Sequence, residues 1–282
     1  MAVRTLAARF RTAAWLGWQV ESNWADPFIF AVYTVLRPLA GALILAGMYW
    51  AVAAAATRGA RFPAVYLGNA FHIYVTTVLI GMGWVVVEER EEYETLKYVY
   101  TSPIGMFTYL GGRASVKLVL ATLSLVLTLA VGWFLVGVRW SWAGVRYPEL
   151  ALTVALGLVA TVSLGYLVAG VALLLPRIAI SINEGLAVAL YLLCGVIFPI
   201  DMLPAPIRAV AYAFPFTWWY EALRRFVLGR GLSDQLGRLP DLALLGGLAA
   251  TTAVFALVAR SGYLALERRA RRAGRLDQTT LF

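Results

Sequence analysis

Groups able to do chemistry are few in this sequence and unevenly placed. One histidine, His72, and one cysteine, Cys194, leave nothing from which to build a cysteine-cluster zinc site, an intrachain disulfide or a multi-histidine metal centre. No Gly-x-Ser-x-Gly elbow and no Gly-x-x-x-x-Gly-Lys-Ser/Thr phosphate loop occurs, so the hydrolase nucleophile and the common ATP cradle are both missing. What stands out is the run Glu88-Glu89-Arg90-Glu91-Glu92-Tyr93-Glu94-Thr95-Leu96-Lys97-Tyr98-Val99-Tyr100-Thr101-Ser102-Pro103, which opens with five glutamates in seven residues. Carboxylates so crowded repel one another and are a poor choice for an idle turn. Tyr93, Leu96 and Tyr100 fall at helical spacing with Val99 beside them. The pattern predicts a helix with one aromatic-apolar stripe and one acidic face, ended by Pro103. It reads either as a solvated loop helix or as a docking helix for a partner that offers a groove and basic residues.

A second group is the stripe Tyr66, Asn69, His72 and Thr76. Within an apolar helix such groups face protein or a wet cavity, because lipid offers them no partner. They could line a substrate path or make ordinary interhelical hydrogen bonds, and His72 has no second ligand for a metal. Asn183 and Glu184 are expected near the end of an apolar helix, at an entrance or paired with Arg177. Cys194 is expected to be a packing residue.

The elements that hold these groups follow from composition. The 282 residues are 61% hydrophobic and 14% charged, against roughly 25% charged in soluble domains, which excludes an ordinary soluble domain and a disordered chain alike. A bilayer span takes about 20 apolar residues. Charge-free runs predict six spans, at 38–57, 62–87, 118–138, 150–176, 178–200 and 242–259, and none resembles a cleavable signal peptide. Ahead of them, residues 1–25 carry Val3, Leu6, Ala7, Phe10, Ala14 and Trp18 at helical spacing, with Arg4 and Arg11 on another face. This predicts an amphipathic helix lying in the membrane surface. The segment 201–241 is punctuated by prolines between stretches too short to span. It predicts re-entrant or interfacial helices, with Trp218, Trp219 and Tyr220 in an aromatic belt. Fifteen of the 24 Lys and Arg residues fall on the side shared by both termini, which makes that side cytoplasmic. Arg113 and Lys117 are then boundary charges that snorkel to phosphates. The tail from Arg268 to Arg275 reads as an anchor to anionic lipid, not as a nucleic-acid site.

Taken together, the sequence resembles the permease subunits of ATP-binding-cassette exporters of the ABC-2 type. The acidic loop carries the resemblance through Glu89-Arg90-Glu91, Thr95-Leu96 and Ser102-Pro103, with Glu94 where the family often has glycine. A second pattern does so through Gly195, Phe198-Pro199, Leu203-Pro204, Pro215-Phe216-Thr217 and Ala222-Leu223-Arg224. The resemblance implies an all-α polytopic membrane protein of six transmembrane helices, a single permease domain in a bacterial or archaeal plasma membrane. It implies that 88–103 is a coupling helix, with Glu89, Arg90, Glu91, Glu94, Thr95, Leu96, Tyr98, Ser102 and Pro103 serving a separate ATPase subunit. It further implies two copies of that ATPase, which bind the ATP and magnesium, and a second permease of the same or a related kind. No cofactor is expected on this chain and no bond chemistry, only export of an amphipathic, lipid-linked or drug-like molecule, glycans included, by alternating access. An ATP-independent channel or secondary carrier is the main competing expectation, disfavoured by the lack of an internal repeat and of paired charges at span centres. A membrane enzyme has too few reactive groups to work with.

Overall fold

Charges mark where the helices begin and end. A computed structural model describes residues 2–23 and 62–274 continuously, with isolated positions between 28 and 47. The span expected at 38–57 thus lies outside the described residues, isolated positions apart. Every regular element among the described residues is a helix, and five of them are long and apolar enough to cross a bilayer: Phe62–Glu92, Met106–Val136, Tyr147–Leu174, Pro176–Leu193 and Asp241–Arg272. The protein is an all-α polytopic membrane protein.

Helix α1 (Ala2–Asn23) lies against α4 (Met106–Val131), after α2 (Phe62–Val87) and the short α3 (Leu96–Thr101) in chain order. Helices α5 (Tyr147–Leu174) and α6 (Pro176–Leu193) are joined through Leu175 alone. Three short helices follow, α7 (Ala205–Ala213), α8 (Pro215–Leu228) and α9 (Asp234–Gly237), before the long α10 (Asp241–Arg272).

Helix α2 is predominantly apolar and carries no charge on any side, and such a helix has no face to give to solvent. It sits at the centre, packed by α4, α5, α6 and α8, with Val75, Val78, Leu79, Met82 and Val85 fully buried. Packing of α1 on α4 depends on Gly112, where an added Cβ would stand 2.6 Å from the Ala13 backbone. Helix α1 also leaves Leu6, Trp15 and Trp18 exposed, while the partly exposed Phe10 ring borders Gly111 of α4.

Helix α4 begins twelve residues before the charge-free run at 118. Arg113 and Lys117, expected to snorkel, instead lie between α1 and α4. Glu21 of α1 is 2.5 Å from Lys117 Nζ and 3.7 Å from Arg113, and Glu88 is 3.1 Å from Arg113. Carboxylates supplied by other elements neutralise both cations, so neither needs a phosphate.

Helix α6 stops at Leu193, short of the run extending to residue 200, because Gly195 adopts φ +74° and turns the chain. Beyond it, Pro206 near the start of α7 and Pro215 at the start of α8 open those helices where a missing N–H does no harm. Trp219 and Tyr220 are fully buried rather than placed in an interfacial belt. The Trp219 indole occupies the space that Gly157 of α5 leaves, where a Cβ would come within 1.9 Å. At this end of the molecule an aromatic cluster forms from Trp133, Trp140 and Trp142, with ring centroids 5.0 to 5.8 Å apart.

Candidate functional site

The acidic loop is not one helix. After Val87 the chain widens into a π-helical turn over Glu88–Glu92, breaks at Tyr93 to Thr95, and resumes as α3. The break is made by Glu94, whose φ of 51° is unusual for a residue with a side chain. This is the position where glycine is expected from the family resemblance. The backbone closes across it through Tyr93 N to Glu88 O at 2.9 Å and Thr95 N to Glu89 O at 2.8 Å. The predicted stripe is consequently split, with Leu96 buried, Tyr100 half-buried and Tyr93 exposed.

The first half of the loop points inward. Glu89 is buried and its carboxylate accepts from the hydroxyls of Thr95 and Tyr109. Arg90 is buried too. Its Nη2 donates to Leu173 O at 2.8 Å and its Nη1 to Ala172 O at 3.5 Å, so it caps the last carbonyls of α5. Helix ends leave those carbonyls without intrahelical partners, and a cation there also meets the negative end of the dipole. Glu89 and Arg90 therefore fasten the loop to the spans and do not form an exposed docking face. Ser102 closes the far end by donating to Val99 O at 2.8 Å and accepting from Ile104 N at 3.3 Å, and Pro103 is exposed.

A third attachment was not read from sequence. Tyr100 lies under the C-terminal turns of α10, with the Arg271 guanidinium 4.6 Å from its ring centroid, while Arg271 is held by Glu267 at 2.7 Å. Nearby, Phe107 stacks on Tyr166 at 4.3 Å and meets Tyr263 of α10 at 5.7 Å. The loop is thus tied to α4, α5 and α10 at once. What it turns outward is Glu92, Tyr93, Glu94, Lys97 and Tyr98, the last 65% exposed, with Glu91 half-buried behind them.

The stripe on α2 is taken up by hydrogen bonds to different elements. Tyr66 donates to Thr128 O of α4 at 2.6 Å, Asn69 Oδ1 accepts from Tyr191 of α6 at 2.7 Å, and His72 Nδ1 lies 2.7 Å from the Tyr220 hydroxyl of α8. Thr76 bonds to carbonyls of its own helix. Asn183 is buried against Gly83, whereas Glu184 is exposed at the middle of α6 and not near its end. Glu184 and Tyr191, seven residues apart, share one face of that helix.

At the opposite end a polar hub holds the short helices. Arg224 is fully buried and donates through Nε to Ala64 O at 2.8 Å and through Nη2 to Val196 O at 2.7 Å, with Glu221 at 3.8 Å. Gly68 makes room for it, since a Cβ there would stand 2.3 Å from Nη2. Burial lowers the Arg224 pKa to about 10 and raises that of Glu221, whose carboxylate accepts from Ser233 N at 3.0 Å. Arg225 donates to Leu236 O and Leu239 O, each at 2.6 Å, and Asp241 receives both Arg225 and Arg146. In the proline-marked motif, Phe198, Pro199 and Leu203 are half-buried, Pro215 is buried, and Pro204 O accepts from Arg208 N at 2.9 Å.

Among the described residues, apolar helices long enough to cross a bilayer, a loop bonded to several of them and a hub of short helices at the far end make up a multi-pass membrane protein. No group of three or more metal-binding side chains occurs among the described residues. The family profile described as ABC-2 type transporter matches residues 9–228, and the chain belongs to that family as a membrane permease subunit. No curated protein sequence matches it.

Proposed function

We propose that this permease exports an amphipathic, lipid-linked or drug-like substrate, glycans included, driven by a separate ATPase subunit that docks on the loop between Glu88 and Pro103. The observation carrying this reading is the division of the loop into two faces. Glu88, Glu89, Arg90 and Tyr100 bond it to α4, α5 and α10, while Glu92, Tyr93, Glu94, Lys97 and Tyr98 are turned outward. An acidic, aromatic surface complements a basic groove. A push delivered there reaches three spans through bonds instead of through slack chain, as alternating access needs. Two ATPase copies, holding ATP and magnesium, and a second permease complete the working unit. Both termini are cytoplasmic, in a bacterial or archaeal plasma membrane, because the basic end of α10 lies on the same side as the loop.

The substrate path runs beside the α2 stripe. Tyr66 and His72 are committed to other helices and form its wall. Asn69 and Thr76 are half-buried, and Asn69 accepts from Tyr191, which lies on the α6 face that also carries Glu184. An acid at mid-membrane costs roughly 2.5–3.5 kcal/mol on insertion scales, and a polar path offsets that.

The test is Glu92→Lys combined with Tyr98→Asp, both on exposed positions where folding is not at stake. Co-purification of the ATPase subunit should fall at least tenfold and ATP-driven substrate accumulation inside inside-out vesicles should stop. Unchanged association refutes the docking surface. Equal transport with and without ATP makes the chain a channel or carrier instead.

A further inference from the structure

Where α4, α5 and α10 meet, a cavity of about 390 Å³ opens at the flank of the molecule. That is the size of a small-ligand site. Its wall is apolar, with Leu118 from α4, Leu158 and Val162 from α5, and Ala256 from α10. Arg260 is the single charged residue lining it. Arg260 is exposed, and among the described residues no carboxylate pairs with it.

Depth in the membrane makes this arrangement specific. Arg260 follows Asp241 by 19 positions on one helix, roughly 28 Å at 1.5 Å per residue, close to the ~30 Å hydrocarbon thickness. With Asp241 at one boundary, Arg260 stands at the other, at the level of lipid phosphates. Tyr166 and Phe107 line the cavity at that same end. Leu158 lies eight residues from Tyr166 along α5, about 12 Å toward the bilayer centre. The cavity therefore has a cationic mouth at headgroup depth and an apolar body that runs toward the midplane.

We infer that this is a binding site for one anionic phospholipid, its phosphate on Arg260 and one acyl chain along the cavity. A guanidinium meets a phosphate through two parallel donors. A soluble anion would leave the apolar body empty, and a zwitterionic lipid would bring its own ammonium to the phosphate and leave the charge of Arg260 unbalanced. None of the residues lining it belongs to α2, α6 or the acidic loop, so it is separate from the proposed substrate path. Assigning the lipid to the cytoplasmic leaflet rests on the orientation proposed above, whereas binding itself does not.

The full chain, stripped of lipid in detergent and offered either dioleoyl phosphatidylglycerol or dioleoyl phosphatidylcholine, reports this directly by native mass spectrometry. One phosphatidylglycerol per chain should be retained, with roughly tenfold preference over phosphatidylcholine. Arg260→Gln should abolish the preference, and Ala256→Phe, which fills the cavity, should reduce retention of both lipids. Arg260 is exposed, so its variant should fold as the parent does, which thermal unfolding checks. Equal retention of the two lipids by the parent, or an unchanged preference in Arg260→Gln, means annular lipid only and overturns the assignment. None of these readouts involves transport or ATP, so the outcome stands apart from the exporter reading.

Discussion

Replacing Gly68 with alanine should destabilise this protein, although the same change inside a helix ordinarily stabilises it by about 0.8–1.0 kcal/mol. The reason lies in Arg224. A Cβ at residue 68 would sit 2.3 Å from its Nη2 and 3.1 Å from Val196 O, the acceptor of that same nitrogen. The guanidinium is buried with Nε committed to Ala64 O, so it has nowhere to retreat. Losing one hydrogen bond to a charged group costs about 1.5–3 kcal/mol; set against the propensity gain, the net loss is about 0.5–2 kcal/mol. That corresponds to a fall of several degrees in Tm for a chain of this size, readable by tryptophan fluorescence in detergent. The decisive comparison repeats Gly68→Ala in an Arg224→Met/Glu221→Gln background, where the obstructing group and its counter-charge are both gone. There the substitution should be neutral or mildly stabilising, a change of sign that measures the coupling between the two positions. A similar loss in both backgrounds would refute the reasoning and locate the obstruction at Val196.

Two further substitutions probe the loop. Glu94→Gly should steady the break between the π-helical turn and α3, because left-handed backbone costs a side-chain-bearing residue about 1–2 kcal/mol and glycine returns only part of this as chain entropy. Exchange of the Thr95 amide, which donates to Glu89 O, should slow about two- to fivefold, and faster exchange would contradict the strain argument. Arg271→Ala removes both the guanidinium over Tyr100 and its bond to Glu267. Transport per ATP should drop several-fold while ATPase association stays constant; equal loss of both would mean that the contact shapes the docking face rather than carrying motion to α10.

Sequence reasoning succeeded where local composition decides the outcome and failed where distant partners do. Helix α2 occupies the charge-free stretch between Arg61 and Glu88 because no charge inside it needs a partner from another element, and its few polar side chains do not interrupt the apolar run. Helix α4 runs back past Lys117 and Arg113, since Glu21 and Glu88 neutralise cations that look like a boundary when read alone. Trp219 and Tyr220 look interfacial beside their proline-rich neighbours, but the space for Trp219 is cleared by Gly157, over sixty residues away. In the loop, crowding of glutamates was legible; that Glu89 and Arg90 turn inward was not, because their partners Tyr109 and Leu173 belong to other helices. The left-handed turn had a visible trace, in the glycine that the family resemblance leads one to expect at Glu94.

The single-residue joint at Leu175 has a mechanical meaning. Helix α5 ends at Leu174 and α6 starts at Pro176, with Arg90 gripping the carbonyls just before the joint. Two rods so joined can change the angle between them but cannot slide lengthwise, and any torque applied at Arg90 acts at the vertex. The angle between the two helices is then the coordinate such a torque can change, with the acidic loop held at the vertex and Glu184 on one of the two arms. An insertion of even a few residues at Leu175 would add slack at the vertex and let the loop move without that arm following.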